Sequence, residues 1–322
     1  MTHDKPHILV AGTLHAAGLA VLRQSGMTFD YVPEISESSY QPYLATADAI
    51  VIRTQPLTAA SIVLAPRLQV VSRHGVGFDA VDIAALNARR IPLCIVGDVN
   101  SVSVAEHAMM LILACAKQLI RADRATRSGD WVWRNSFATG EVAGKGLLIL
   151  GYGRIGRHLA RMADGFGMQV TAFDPHVLEQ GWPAGPARPV ASLAEGLGAA
   201  DIVSVNMPKG NGPGLGPAEL ALMKPGGIVV NTARGGIVDE AALVAALQSG
   251  HIAAAGLDVF EAEPPAPDHP LMAFDQVILT PHTAGLTRES AARMAIASVQ
   301  NVLDHFAGCL NPDLIVNRTA LI

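Results

Sequence analysis

The sequence predicts an α/β protein made of two doubly wound parallel-sheet domains. Three observations predict it. Short apolar runs alternate with helical patterns along the chain, and the alternation restarts at Leu147. Half of the 322 residues are hydrophobic and 16% are charged, which is enough apolar side chain for two cores. The runs are continuous in Val, Ile and Leu, as strands covered on both faces require.

In the first third these runs are "HILVAG" (7–12), "AIVIRT" (49–54), "LQVVSRHG" (68–75) and "IPLCIV" (91–96). From Leu147 they are "LLILG", "MQVTAFD", "DIVSVNM" (201–207), "GIVVNTA" (227–233), "AAGLDVF" (254–260) and "QVILTPH" (276–282). Strand, helix, strand at this spacing implies right-handed crossovers between parallel strands. The two beginnings also resemble each other. "HILVAGTLHAAGLAVLRQSGMTFDYV" aligns with "LLILGYGRIGRHLARMADGFGMQVTAFD", each reading strand, Gly, helix, Gly-Met, strand. The first copy has Gly12 and Gly18 but His15 and Ala16 between them, so it repeats the architecture without a phosphate site.

Between the two halves, Ser101 or Ser103 is a candidate helix cap, and Ser103 with Glu106 has the capping-box spacing. The "AMMLILACA" that follows (108–116) is apolar on nearly every face, which predicts burial between domains or subunits. Its nine residues fall short of the ~20 that span a bilayer. A long helix is expected over 289–308, and the tail "NPDLIVN" is expected to return to the first domain. A net charge of −5 offers no basic field for a nucleic-acid backbone. Cys94, Cys115 and Cys309 show no C-x-x-C or Cys/His ligand spacing, so neither disulfides nor a metal site is expected and a reducing cytosol fits. "MTHDKPHILV" is no signal peptide, which agrees with a cytoplasmic location.

"GYGRIG" spells G-x-G-x-x-G at Gly151, Gly153 and Gly156. A four-residue apolar strand precedes it, and the next helix carries Ile155, Leu159, Met162 and Phe166 on one face. A second strand ends on Asp174, 18 residues past Gly156. Gly151 allows the tight turn, Gly153 lets a pyrophosphate approach the backbone at the helix N-terminus, and Gly156 lets helix and strand pack closely. Tyr152, Arg154 and Ile155 complete the loop. Asp174 would accept from ribose hydroxyls and repel a 2′-phosphate, which favours NAD over NADP. A purely structural turn is the competing reading. Flavin enzymes, epimerases and some methyltransferases use similar loops, so this one names no reaction.

Later stretches narrow the choice: "RHGVGFDAVDI" (73–83), "NTARGGIVDEAAL" (231–243), "GLDVFEAEPP" (256–265) and "TPHTAGLT" (280–287). Together with "GYGRIG" they resemble the D-isomer-specific 2-hydroxyacid dehydrogenases. "SVAEHAMMLIL" is similar to that family's interdomain helix and "NPDLIVN" to its C-terminal return. The resemblance implies a Rossmann cofactor domain over 100–287, inserted in a flavodoxin-like substrate domain made of 1–99 and 288–322, with the active site in the cleft. It implies NAD as cofactor, a small 2-oxo or 2-hydroxy acid as substrate and a homodimer. Neither nucleic acid nor membrane is an expected partner.

The family's catalytic Arg, Glu and His fall on Arg234, Glu263 and His282. The chemistry agrees. A guanidinium grips a carboxylate with two parallel hydrogen bonds. A histidine at a strand end delivers a proton near neutral pH. Glu263 would hold that ring's tautomer and keep it protonated for reduction. Glu261 competes for this role, but the family's Glu precedes proline, as Glu263 precedes Pro264. The resemblance also places the substrate carboxylate on the backbone of Val76 and Gly77, and Arg53 and Thr54 toward the substrate side chain. It places Asp258 at the nicotinamide carboxamide beside the Ala233 backbone, with Val104 at the ring and Pro208 in the cofactor site. His74, His107 and His269 carry no role in that scheme.

Two departures stand out. "NMPKGNGPGLGPAEL" (206–220) replaces a usual Leu-Thr pair with Lys209 and a glycine-rich loop through Gly216, expected near the adenine, where it bears on NAD preference. Leu148 stands where the family often has glycine, a packing change. The leading expectation is an NADH-dependent reductase of hydroxypyruvate or glyoxylate type. One alternative is a short 3-phosphoglycerate dehydrogenase, with Arg53 and Arg73 for the phosphate, Arg134 brought by a second subunit, and no room after Ile322 for a regulatory domain. Another is a non-catalytic NAD(H)-sensing protein like the C-terminal-binding corepressors. A methyltransferase would leave the Arg, Glu and His without a job.

Overall fold

The computed structural model describes residues 5–210 and 214–321. It divides the chain into two units, Met1–Asn100 with Leu286–Ile322, and Ser101–Gly285. The first holds a parallel sheet of β1 (His7–Ala11), β2 (Thr28–Val32), β3 (Ala49–Ile52), β4 (Val70–Arg73) and β5 (Leu93–Cys94), ordered β2-β1-β3-β4-β5. Leu9, Ile50 and Ile52 enter the core on one face, and Ile8, Ala49 and Val51 on the other. Both faces being covered explains why these runs do not alternate with polar residues. The loop after β1 is filled by the unit's own side chains. A Cβ on Gly12, whose φ is +99°, would lie 2.6 Å from the Gln55 amide. The His15 ring caps the next helix, Ala16–Gln24. The long C-terminal helix, Arg288–Phe306, packs on that helix so closely that a Cβ on Gly18 would meet Ala295 at 2.8 Å. The tail after it bridges β5 through Ile315, and the Asn317 amide bonds the Leu93 N–H and the Ile91 carbonyl.

The second unit holds β6 (Gly146–Leu150), β7 (Gln169–Phe173), β8 (Arg188–Pro189), β9 (Ile202–Val205), β10 (Gly227–Asn231), β11 (Ile252–Leu257) and β12 (Val277–Leu279). Their order is β12-β11-β10-β9-β6-β7-β8, parallel throughout. The chain turns back across the sheet between β6 and β9, the switch point where such sheets bind ligands at their carboxyl edge. The ten predicted runs are all strands. The sequence missed β8, which is two exposed residues, one of them proline, with no apolar signal. Leu148 is accommodated by Gly196, where a Cβ would lie 2.8 Å from the leucine methyl.

Two local expectations need correction. The helix Ser101–Ala116 already begins at Ser101, so Ser101 and Ser103 both lie in its first turn and neither is the residue that precedes it. Within its unit that helix leaves Val102, Glu106 and Met110 exposed. Phe166 follows the end of helix Arg154–Gly165 and is exposed; Gly167, at φ +73°, turns the chain away before the phenyl ring can reach the core. No single described helix is long and apolar enough to cross a membrane. Among the described residues, no group of three His, Cys, Asp or Glu could hold a metal.

Candidate active site

The glycine turn joins β6 to the helix Arg154–Gly165 at the switch point. Gly151 has φ +91°, and a Cβ there would strike the Asn206 backbone at 2.8 Å. A Cβ on Gly156 would come within 2.3 Å of the Gly151 carbonyl oxygen, so helix and turn pack at a distance only glycine permits. Gly153 differs. It caps the helix at φ −73°, where any residue fits, and a Cβ there would meet nothing within 4 Å. No side chain caps this helix, so its first N–H groups face open space, an anion site by geometry and dipole. Among the described residues, two buried polar atoms at this carboxyl edge lack partners: Asn206 Oδ1 after β9 and Thr232 Oγ1 after β10. Such orphans are costly unless a ligand meets them. An uncapped helix, an empty Gly153 face and orphaned polar atoms at one edge fit a dinucleotide.

Asp174, ending β7, accepts from the Tyr152 N–H at 2.8 Å and from the Val177 N–H at 3.1 Å. It therefore ties the glycine turn to the next helix and retains lone pairs for a ribose. The Tyr152 ring is buried, stacked on Trp182 with centroids 4.6 Å apart, so only its backbone belongs to the turn. Arg154 is exposed at the open helix end, and Ile155 is half-buried against the core. Pro208 and Lys209 are exposed beyond β9; Asn211, Gly212 and Pro213 of the glycine-rich loop lie outside the described residues. Val104 is buried on its helix.

Arg234, Glu263 and His282 follow β10, β11 and β12, three neighbouring strands, at the same carboxyl edge. Arg234 is half-buried and donates from Nη1 to the Ala233 carbonyl at 2.7 Å, while the Asn231 amide holds its backbone carbonyl. His282 has φ +52°, a left-handed conformation that costs a non-glycine residue energy and clusters at functional sites. Its N–H is held by the Asp258 and Thr280 carbonyls. Glu263 Oε2 accepts from His282 Nδ1 at 2.7 Å, and Oε1 accepts from the Phe260 N–H at 3.1 Å. Glu261 instead exchanges hydrogen bonds with Glu240. With its proton on Nδ1 spoken for, His282 presents Nε2 from a half-exposed ring.

Asp258 lies directly behind. Fully buried, its carboxylate accepts from the Thr280 hydroxyl, the Thr283 N–H and the Ala284 N–H, pinning the loop that carries His282. Thr280 gives its one proton to Asp258, so it accepts from His107 Nε2 at 3.0 Å. The sequence did not find Asn206, Thr232 or His107. Polar residues at the carboxyl ends of buried strands were the available signal.

In the first unit, Gly75 at φ +146° opens a turn in which no described acceptor takes the N–H of Val76 or Gly77. Val76 is exposed. Arg53 reaches the Thr13 carbonyl, and Arg73 the His74 carbonyl. His74 is buried, and among the described residues no group meets either ring nitrogen in good hydrogen-bond geometry. Burial first, then the Arg53 and Arg73 charges, push its pKa down to about 4, so it is neutral at pH 7.

Residues 109–284, more than half of the chain, match the family model described as the D-isomer specific 2-hydroxyacid dehydrogenase NAD binding domain. The chain belongs to this family. It is 40% identical over 262 residues to a glyoxylate reductase from Aeropyrum pernix, covering 79% of this chain and 78% of that one. It is 35% identical over 304 residues to a D-3-phosphoglycerate dehydrogenase from Archaeoglobus fulgidus, covering 94% of this chain but only 57% of that relative's length. The fold matches that of an NADPH-dependent glyoxylate/hydroxypyruvate reductase from Sinorhizobium meliloti with a TM-score of 0.84 at 30% identity, covering 94% and 95% of the two chains. The second unit is thus the family's NAD-binding domain, and a nicotinamide dinucleotide is its cofactor class.

Proposed function

We propose that the protein is an NAD-dependent dehydrogenase that reduces a small 2-oxo acid of hydroxypyruvate or glyoxylate type to the D-2-hydroxy acid. The hydrogen bond from His282 Nδ1 to Glu263 carries this reading, because it sits at the edge that also bears the uncapped helix. The cofactor, when bound in its reduced form, supplies the hydride. Arg234 supplies a fixed cation for the substrate carboxylate and the ketone oxygen. His282 gives its Nε2 proton to the oxygen that becomes the hydroxyl, and Glu263 stabilises the charged ring beforehand. Reduction therefore needs protonated His282 and oxidation needs the neutral ring. In the first unit, the unclaimed N–H groups of Val76 and Gly77 suit a carboxylate. Asp174 supports NAD, since a 2′-phosphate would meet its charge.

A phosphorylated substrate is the second reading, favoured by the Arg53 and Arg73 charges around His74. A homodimer is also inferred. Leu119, Ile120, Trp131, Val132 and Phe137 are all exposed on the short stretch after the helix Ser101–Ala116, and a second copy would cover them. The test is NADH consumption over glyoxylate, hydroxypyruvate, phosphohydroxypyruvate, pyruvate, sulfopyruvate and aryl pyruvates. Turnover of the small unphosphorylated acids supports the first reading, and a preference for phosphohydroxypyruvate that Arg53→Ala abolishes supports the second. Tight NADH binding with no turnover would leave only a sensor.

A further inference from the structure

We propose that His269, acting through Glu240 and Phe260, is a positioning residue for the carboxylate of Glu263; this rests on the reading of Glu263 and His282 as the proton-delivering pair. The loop between β11 and the short turn Pro270–Ala273 carries Glu263 on an exposed surface. An exposed carboxylate on a loop does not keep a 2.7 Å bond to an imidazole unless something else fixes the loop. Phe260 is where it is fixed. Its N–H holds Glu263 Oε1, and its carbonyl lies so close to Gly235, the residue after Arg234, that a Cβ there could not fit. The His269 ring meets the Phe260 ring edge-on, with centroids 6.4 Å apart.

His269 also ties the loop to the rest of the unit. Its Nε2 donates to Glu240 Oε2 at 2.9 Å. Glu240 is the first residue of helix Glu240–Gln248, where the helix dipole steadies its charge. Glu240 Oε1 takes the Glu261 N–H at 2.8 Å, and Glu261 Oε1 takes the Glu240 N–H at 3.1 Å. The His269 tautomer follows from its other nitrogen. Nδ1 accepts from the Leu271 N–H at 3.3 Å, so it carries no proton, and the single proton sits on Nε2 facing Glu240. Leu271 is itself fully buried, which anchors the far end of the loop. Groups from helix, loop and turn thus converge on His269, and they restrain the backbone segment that aims Glu263.

The experiment follows the tautomer of His282 by long-range proton–nitrogen NMR in the full chain labelled at histidine nitrogen. It compares wild type, His269→Ala, His269→Gln and Glu240→Gln, with cofactor affinity and turnover measured beside it. The wild-type ring holds its proton on Nδ1, bonded to Glu263. In His269→Ala the proton moves largely to Nε2, as in free imidazole side chains, and kcat falls about tenfold or more while cofactor affinity stays within about twofold. His269→Gln, which keeps a donor for Glu240, restores the Nδ1 form. Glu240→Gln, which cannot accept from both His269 and Glu261, loses it, and serves where His269→Ala fails to fold. An unchanged His282 tautomer in folded His269→Ala or Glu240→Gln overturns the proposal. The tautomer is read without turnover, so a wild type that reduces no 2-oxo acid would overturn the proposed function and leave this result standing.

Discussion

Glu261 and Glu263 are two residues apart in "FEAEPP", and only Glu263 meets His282. Proline adjacency had pointed to Glu263; the reason is that Glu261 is spent on Glu240. Replacing each by glutamine separates the two. Glu263→Gln should lower kcat by roughly ten- to a hundredfold, the scale of weakened general acid catalysis. Glu261→Gln should lower the melting temperature more than kcat. His282→Asn tests the proton donor without disturbing the turn, because asparagine tolerates the left-handed conformation that His282 adopts. Its turnover should fall about a hundredfold or more with cofactor affinity intact; unchanged turnover removes His282 from the mechanism. His74 was invisible as anything but a peripheral histidine, since nothing in "RHGVG" says that the ring points inward. Its depressed pKa has a signed consequence. Above pH 6.5 the ring is neutral folded or unfolded and costs nothing. Between 6.5 and about 4 only the unfolded chain takes the proton, so stability falls as pH falls, by at most a few kcal/mol. His74→Phe should flatten that acid slope in thermal melts between pH 7 and 4.5. An equally steep slope in the variant would assign the acid sensitivity elsewhere.

At the scale of elements, the glycine turn was legible because three glycines, an apolar run before them and an acid after them are all local features. What the sequence could not show is that the glycines have different reasons. Gly156 is glycine because a backbone oxygen lies where its Cβ would be; Gly153 is glycine although nothing occupies that space. Gly156→Ala should therefore destabilise the fold by roughly 1–3 kcal/mol, the cost of overpacking. Gly153→Ala should leave the melting temperature nearly unchanged and weaken dinucleotide binding about tenfold or more, as a methyl group enters the space of the phosphates. If Gly153→Ala binds NADH as wild type does, the turn is only structural. The N-terminal copy shows the contrast within one molecule. There Gln55 fills the space over Gly12, and the His15 ring caps the helix that would otherwise receive an anion. The strand β8 and the exposed Phe166 escaped the sequence for different reasons: β8 is two exposed residues with no apolar signal, whereas Phe166 keeps the helical spacing although Gly167 beside it turns the chain away.

For the whole molecule, two doubly wound parallel-sheet domains were readable from the spacing of the apolar runs, and the family resemblance picked out the trio Arg234, Glu263 and His282. The restraints behind the trio were not readable. His107 reaches Thr280, the partner of Asp258, across 173 residues of chain, and His269 reaches Glu240 across 29. Cofactor choice also belongs to this scale, because Asp174 joins the glycine turn to the helix after β7. Asp174→Ala should shift the ratio of NAD to NADP affinity toward NADP, and an unmoved ratio would place the selectivity elsewhere. The central claim is that hydride from a nicotinamide and a proton from His282 are added across a 2-oxo acid on one defined face. It is tested most directly by turnover with NADH deuterated at the transferable position, followed by mass and chiral analysis of the product. The account predicts one deuterium at C2 of the D-2-hydroxy acid. Product without deuterium, or deuterium in the L isomer, would contradict it.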